Sequence, residues 1–176
     1  PKQPGVARET ERAMPLGRSC DGCTMCCKLM RVEEKPPMQW CQHCAIGEGC
    51  TIYEQRPREC RTFHCGYLRM PELNEAWRPS NSKIVVAIGP GDKRLVVMVD
   101  PSRRGQWRNE PYYSMIKAWA RVLCPKAGQV LVHDGGEVIA VLPDREKSFG
   151  PHREGRNLTS IVDPGPNGPV CDVIEE

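Results

Sequence analysis

Nine of the eleven cysteines in this 176-residue chain lie between residues 20 and 65. They follow the pattern C-x2-C-x2-C-C-x13-C-x2-C-x5-C-x9-C-x4-C, in which C-x-x-C occurs three times. Two residues between cysteines let both thiolates approach one ion while the intervening backbone amides turn towards the sulfur atoms. We therefore predict a metal site whose ligands are Cys20, Cys23, Cys26, Cys27, Cys41, Cys44, Cys50, Cys60 and Cys65.

A disulfide framework is the alternative use of so many cysteines. Such frameworks are typical of short secreted chains, and this sequence shows no signal-peptide pattern. The C-x-x-C spacing also favours metal, and ligand thiolates must stay free, so we expect a reducing, cytoplasmic location. No apolar run approaches the roughly 18 residues of a membrane span, so no membrane partner is expected.

Soft thiolate ligands select zinc or iron–sulfur clusters. Zinc is the expected metal, at about two or three ions. Two separate tetrahedral sites need eight ligands, and three zinc ions with three bridging thiolates would use nine. The alternative is a [4Fe–4S] cluster, which needs four thiolates. Cys20, Cys23 and Cys26 match the start of a ferredoxin run, and a remote cysteine such as Cys60 or Cys65 would complete it.

Adjacent Cys26 and Cys27 would point to opposite faces in an extended segment, and would then serve two different metals. A zinc ion with four thiolates carries a formal negative charge, which nearby cations can reduce. The basic residues close in sequence that could do so are Lys28, Arg56, Arg58 and Arg61.

Two histidines lie among the cysteines. A short helix beginning at Pro57 would place Cys60 and His64 on one face. Neither His64 nor His43 is expected to be a ligand, because the cysteines already suffice.

These residues together carry a family resemblance. Its motifs are Cys20–Cys27, the run Gly49-Cys50-Thr51-Ile52-Tyr53, and Arg56-Pro57 followed by Cys60, Arg61, Phe63 and Cys65. The segment resembles the bacterial CxxCxxCC cysteine-cluster family (YkgJ-like), described as zinc- or iron-chelating proteins. It is also similar to the cluster of the flagellin lysine-N-methylases, which is associated with an iron–sulfur centre. The resemblance covers about fifty residues, departs mildly where Tyr67 replaces the Trp of many relatives, and implies metal chelation rather than a reaction.

The segments that must position the cysteines differ in composition. Residues 1–19 are polar and show no apolar periodicity of a helix or a strand. We therefore expect an extended N-terminal arm. Residues 20–70 hold only five Val, Ile or Leu residues, too few for an ordinary core. We therefore expect a loop-rich cysteine-cluster region that is stabilised by metal.

Residues 83–142 predict a β-β-α-β-β order. Ile84–Ile88 and Leu95–Val99 form one predicted hairpin, and Val130–Val132 and Val138–Leu142 form a second with an Asp-Gly-Gly turn. The three- and four-residue apolar spacing of Tyr112–Cys124 predicts a helix between them. The expected class is α+β, with the cysteine-cluster region packed on a small antiparallel sheet that has one main helix.

The remaining features are expected to be structural. Residues 143–176 are rich in proline and glycine and predict an irregular tail, in which Cys171 is expected to be a free thiol. Cys124 ends the predicted helix and is expected to be a small buried hydrophobe. The loop Arg103–Arg108 combines arginines with Trp107 and could contact nucleic acid, but the balanced charge around it favours a solvated loop.

The sequence thus predicts a metal-binding protein with a structural, metal-handling or accessory role, serving an unknown protein partner. An iron–sulfur redox or methylation-related enzyme is one alternative, although no glycine-rich fingerprint for S-adenosylmethionine or a dinucleotide is present. A zinc-stabilised nucleic-acid-binding module is the other, and the net charge of +3 does not require it.

Overall fold

A computed structural model describes residues 16–176 of the chain, so most of the predicted N-terminal arm lies outside the described residues. The helices are α1 (Met25–Leu29), α2 (Arg58–Thr62), α3 (Gly66–Arg69), α4 (Pro79–Ser82) and α5 (Tyr112–Leu123). The strands are β1 (Cys44–Ala45), β2 (Gly49–Cys50), β3 (Ile84–Ile88), β4 (Arg94–Val99), β5 (Gln129–Asp134), β6 (Glu137–Val141), β7 (Glu146–Pro151), β8 (Leu158–Gly165) and β9 (Gly168–Glu175). The chain has both helices and small sheets, which agrees with the α+β class. None of the helices in residues 16–176 has the length and apolar character to cross a membrane.

The main sheet has five strands in the order β3-β4-β5-β6-β7. The predicted hairpins are confirmed, because β3 pairs antiparallel with β4 and β5 pairs antiparallel with β6. The predicted all-antiparallel sheet is wrong at its centre, where β4 and β5 are parallel. The reason is α5, which lies between these strands in sequence and makes the crossover that parallel neighbours require.

One face of the sheet is covered by α5, as its apolar spacing predicts. Ile116 is fully buried there, in the same core as Val97 and Val132 of the central strands. The ring centres of Trp77 and Tyr112 are 4.9 Å apart, and both side chains are buried in this core. Burial of this stripe against the sheet is what holds α5 in place.

The prediction of an irregular tail over residues 143–176 is wrong. β7 joins the main sheet, and β8 and β9 form a separate two-stranded ribbon across a turn at Pro166-Asn167. Pro164 and Pro169 face each other near that turn, a position that a two-stranded ribbon tolerates because its outer edges need no partner. Leu158 and Val173 of the ribbon are buried in a second apolar cluster with Leu131 of the main sheet.

Of the two outlying cysteines, Cys124 is buried as predicted, but the prediction that Cys171 is a free thiol is wrong. Cys124 and Cys171 form a disulfide, with their Cα atoms 5.9 Å apart. Both belong to the second apolar cluster and are almost fully buried. The bond therefore joins the end of α5 to β9, which neither residue's sequence neighbours indicate.

The cysteine-cluster region rests on β3 through α1 and α3. Leu29 of α1 and Leu68 of α3 are buried in the main core. Gly66 allows the close approach of α3, since a Cβ atom there would lie 2.9 Å from the Cβ of Val86. Residues 20–70 thus have few apolar side chains but share the core of the sheet, helped by buried Met25.

Candidate metal centre

The predicted ligands lie on short elements rather than on one scaffold. Cys20 and Cys23 lie in a turn closed by the Cys23 amide, which donates to the Cys20 carbonyl at 2.8 Å. The other predicted ligands lie on α1 (Cys26, Cys27), in the loop before β1 (Cys41), on β1 and β2 (Cys44, Cys50), on α2 (Cys60) and directly before α3 (Cys65).

Backbone hydrogen bonds bring four cysteines from distant parts of the sequence together. The amide of Cys41 donates to the carbonyl of Cys27 at 3.0 Å, and the amide of Cys44 donates to the carbonyl of Cys41 at 3.1 Å. Cys44 and Cys50 stand directly opposite each other in the β1–β2 hairpin. Side chains at such opposed positions lie close together on one face.

Thr24 fixes this hairpin against the start of α1. Its hydroxyl accepts from the Gly47 amide at 3.1 Å, and only 5% of Thr24 is exposed. The same side chain hydrogen-bonds to the Cys44 thiol and lowers the pKa of that thiol, against the larger effect of burial.

The thiols carried by α1, the hairpin and α2 interact with one another. Burial, followed by the charge of Cys27, raises the pKa of Cys44 to about 11. A hydrogen bond with Cys26 raises the pKa of Cys27 well above its usual value. Burial raises the pKa of Cys60, and Cys27 adds to the effect. We call these residues the larger thiol group: Cys26, Cys27, Cys41, Cys44, Cys50 and Cys60.

The remaining three cysteines form the smaller thiol group, Cys20, Cys23 and Cys65. Burial raises the pKa of Cys20 to about 11, and Cys65 and Cys23 are the next causes. Burial also raises the pKa of Cys65, while the backbone amide of Leu68 acts in the opposite direction by hydrogen bonding. These backbone hydrogen bonds at the start of α3 only partly offset the effect of burial on the Cys65 pKa.

Lys35 brings a buried positive charge to the larger thiol group. It is 8% exposed, and its ammonium donates to the carbonyls of Met30 at 2.5 Å, Pro36 at 2.9 Å and Lys28 at 3.2 Å. Burial lowers the pKa of Lys35, and the thiol of Cys41 is the first of several that oppose this. Sequence reasoning missed Lys35, because nothing in its spacing separates it from a surface lysine.

The basic residues that the sequence did point to have different positions. Lys28 pairs with buried Asp100, with 2.9 Å between ammonium and carboxylate. The Arg56 guanidinium lies 3.5 Å from the ring centre of Tyr53 and slightly lowers the pKa of Cys20. Arg58 and Arg61 are exposed to solvent.

Two expectations about local geometry are wrong. Cys26 and Cys27 lie within α1, so they project about 100° apart instead of on opposite faces. The helix that follows Pro57 ends at Thr62, so His64 lies beyond it and does not share a helical face with Cys60. His64 is exposed.

His43 lies at an open surface depression. This depression has a volume of about 620 Å³ and is also lined by Glu33, Glu34, Arg58 and Glu59. Its wall carries charges of both signs beside the β1–β2 hairpin. His43 itself directly precedes β1, and its carbonyl accepts from the Thr51 amide at 2.8 Å across the open end of the hairpin.

The Arg103–Arg108 loop does not offer the stacking surface that nucleic-acid binding would use. Trp107 is fully buried, and its indole N–H donates to Asp134 at 3.0 Å. Arg108 lies over the Trp107 ring and pairs with Glu146 at 2.6 Å. The loop is therefore tied to the sheet through its aromatic residue.

The nine clustered cysteines are free thiols, in contrast to the bonded Cys124 and Cys171. Across residues 16–176, no three Cys, His, Asp or Glu side chains stand in an arrangement that could hold a metal ion. The chemistry of the donors suits a soft metal, and the thiols within each group would have to close further around one.

The comparisons with known proteins add no family to this description. No family model, curated protein or solved structure matches the chain. The interpretation of the thiol groups therefore depends on their own residues.

Proposed function

We propose that this chain is a metal-binding protein whose nine clustered cysteines chelate zinc, in a structural, metal-handling or accessory role towards a protein partner. The observation that supports it best is the contrast between the two kinds of cysteine. Cys124 and Cys171 are close enough to bond and do so, whereas nine others gather in two groups and stay free thiols.

The clustered, partly buried thiols have no evident structural role unless they bind a cation. Burial and neighbouring sulfur atoms raise the pKa values of Cys20, Cys44 and Cys60, so these three thiols resist ionisation in the absence of metal. A bound zinc ion reverses this balance, because thiolates are its preferred ligands and it compensates their charge. Lys35 then supplies part of the remaining compensation in the larger thiol group.

Zinc is preferred to a [4Fe–4S] cluster because the number of thiols suits two or three tetrahedral ions. The resemblance to the CxxCxxCC cysteine-cluster family supports chelation of either metal. We place the protein in the cytoplasm, where free thiols persist. The Cys124–Cys171 bond is compatible with this location because both residues are more than nine-tenths buried and shielded from soluble thiols.

The alternative function is an iron–sulfur redox or methylation-related enzyme, because the same cysteine thiols are also suitable ligands for an iron–sulfur cluster. An iron–sulfur centre would give a brown protein with absorbance near about 400 nm after anaerobic purification. The nucleic-acid-binding module loses its main support, because the aromatic ring of its loop is buried.

The proposal is tested by elemental analysis of the anaerobically purified chain. We expect zinc in the wild type, a lower zinc content in Cys23→Ser, and unchanged content in the control Cys171→Ser. The control removes a cysteine that lies in a different apolar cluster. Equal metal contents in the two variants would contradict the assignment, and a wild type without zinc or iron would contradict metal binding itself.

A further inference from the structure

We propose that a depression at one edge of the main sheet binds a small oxyanion that carries its own O–H donor, of which hydrogenphosphate is the simplest. The depression has a volume of about 220 Å³ and is lined by Pro90, Lys93, Arg94, Ala127 and Gln129. None of the clustered cysteines lines it, so the inference goes beyond metal binding and does not depend on it.

The depression lies where the two parallel strands of the main sheet begin. Arg94 is the first residue of β4 and Gln129 is the first residue of β5, and the two stand opposite each other in the register. The other lining residues lie in the segments that lead into these strands, since Pro90 and Lys93 precede β4 and Ala127 precedes β5. Two segments that are distant in sequence therefore form the walls.

The backbone holds these two segments in one arrangement. The amide of Gln129 donates to the carbonyl of Lys93 at 2.7 Å, and the amide of Gly89 donates to the carbonyl of Arg94 at 2.7 Å. A Cβ atom at Gly128 would lie 2.7 Å from the carbonyl oxygen of Lys93, so glycine is required for this close approach. The lining side chains thus start from fixed positions, which lowers the entropic cost of binding a ligand.

The side chain of Gln129 has an acceptor without a partner. Only 6% of the residue is exposed, and its Nε2 donates to the carbonyl of Leu158 at 2.7 Å. Because a carbonyl only accepts, this bond fixes the orientation of the side-chain amide and leaves Oε1 as a buried acceptor without a hydrogen bond. An unpaired buried acceptor destabilises a protein unless a donor reaches it. An O–H group of a molecule in the depression supplies such a donor.

Two cations beside Gln129 have no carboxylate partner. The guanidinium of Arg94 donates to the same Leu158 carbonyl at 2.9 Å, which leaves most of its N–H groups free. The ion pairs within residues 16–176 include neither Arg94 nor Lys93. Both residues are exposed, so an anion can reach them from solvent. The depression therefore attracts negative charge and also requires a donor from its ligand.

These two requirements discriminate between oxyanions of similar size. At about pH 8, hydrogenphosphate and sulfate both carry about two negative charges, but only hydrogenphosphate has an O–H group. Sulfate would leave Oε1 of Gln129 unpaired and would place a second acceptor near it. A site that hydrogen-bonds a ligand's O–H discriminates strongly against an analogue that lacks this group. We therefore expect phosphate to bind at least about tenfold more tightly than sulfate.

The test is isothermal titration calorimetry of the full chain with inorganic phosphate and with sulfate, at about pH 8 and equal ionic strength. Lys93→Met should weaken the binding of both anions by about threefold, because it removes one exposed cation from the wall. Lys126→Met is the matched control, since Lys126 is also exposed and close in sequence to Ala127 but does not line the depression. It should leave both affinities within about twofold of the wild type.

Gln129→Leu tests the unpaired acceptor directly. This variant should bind phosphate and sulfate with nearly equal affinity, because the atom that distinguishes the two anions is gone. The change also removes the hydrogen bond to Leu158, so circular dichroism must show that the variant is folded. If it is not folded, the preference of the wild type and the two lysine variants still decide the matter.

Three results would overturn the inference. Equal affinities of the wild type for phosphate and sulfate would assign the partner of Oε1 to water, and the absence of phosphate binding would exclude an anion site. Equal losses of affinity in Lys93→Met and Lys126→Met would show that phosphate binds outside the depression.

Discussion

The Cys124–Cys171 disulfide should contribute strongly to stability, and its removal by Cys171→Ser gives a quantitative prediction. The two residues are 47 positions apart in the sequence, so the bond closes a long loop in the unfolded chain. Loop-closure entropy for such a length corresponds to about 4 kcal/mol of unfolding free energy at 25 °C. Both cysteines are buried beside β8 and β9, so the loss should be greatest in the ribbon.

Urea unfolding followed by circular dichroism measures this difference. Under non-reducing conditions, Cys171→Ser should unfold with about 4 kcal/mol less free energy than the wild type. In excess reductant the two proteins should become nearly equal, which is the internal control. The reasoning would be refuted by equal stability without reductant, or by eleven reactive thiols instead of nine in the denatured, chelator-treated wild type.

Two further predictions concern groups outside the thiols. Asp100→Asn leaves the partly buried ammonium of Lys28 without its 2.9 Å partner and should cost about 3 kcal/mol, whereas Arg69→Met removes an exposed ion pair and should change stability by less than about 1 kcal/mol. Urea unfolding of both variants checks this, and equal losses would contradict it. Burial, aided by His152, lowers the pKa of His133 to about 4, so the unfolded chain binds the extra proton and stability should fall by up to about 3 kcal/mol between about pH 6.5 and pH 4. The stability of His133→Gln should fall less over this range, and identical pH profiles would contradict the prediction.

The sequence predicted the elements whose periodicity is strong. Continuous β-branched runs located β3 and β4, and the three- and four-residue spacing from Tyr112 located α5 to within one residue. Strand order needs more than periodicity. The parallel pairing of β4 with β5 follows from the path of α5 between them. The residue pattern of the two strands carries no information about that path.

The prediction of an irregular tail is wrong because proline and glycine do not interrupt the strands there. In the β8–β9 ribbon, Pro164 and Pro169 occupy paired positions near a turn, where a missing amide costs little. The disulfide could not be predicted either, since it joins residues 47 positions apart and depends on how the ribbon packs.

The candidate ligands were found by type and spacing, but their grouping was not. Cys65 lies close in sequence to Cys60, yet α3 anchors it in the core with Cys23. The burial of Lys35 was also not predicted, although the three carbonyls that its ammonium contacts, those of Lys28, Met30 and Pro36, lie within seven residues of it.

Metal content is the most direct test of the central claim that the clustered cysteines bind metal. The full chain should be purified anaerobically and its zinc and iron measured per chain together with its free thiols. We predict two or three zinc ions per chain and a colourless protein, with nine thiols becoming reactive only after chelation. A chain that contains no zinc or iron and whose nine thiols react at once in the native state would contradict the claim.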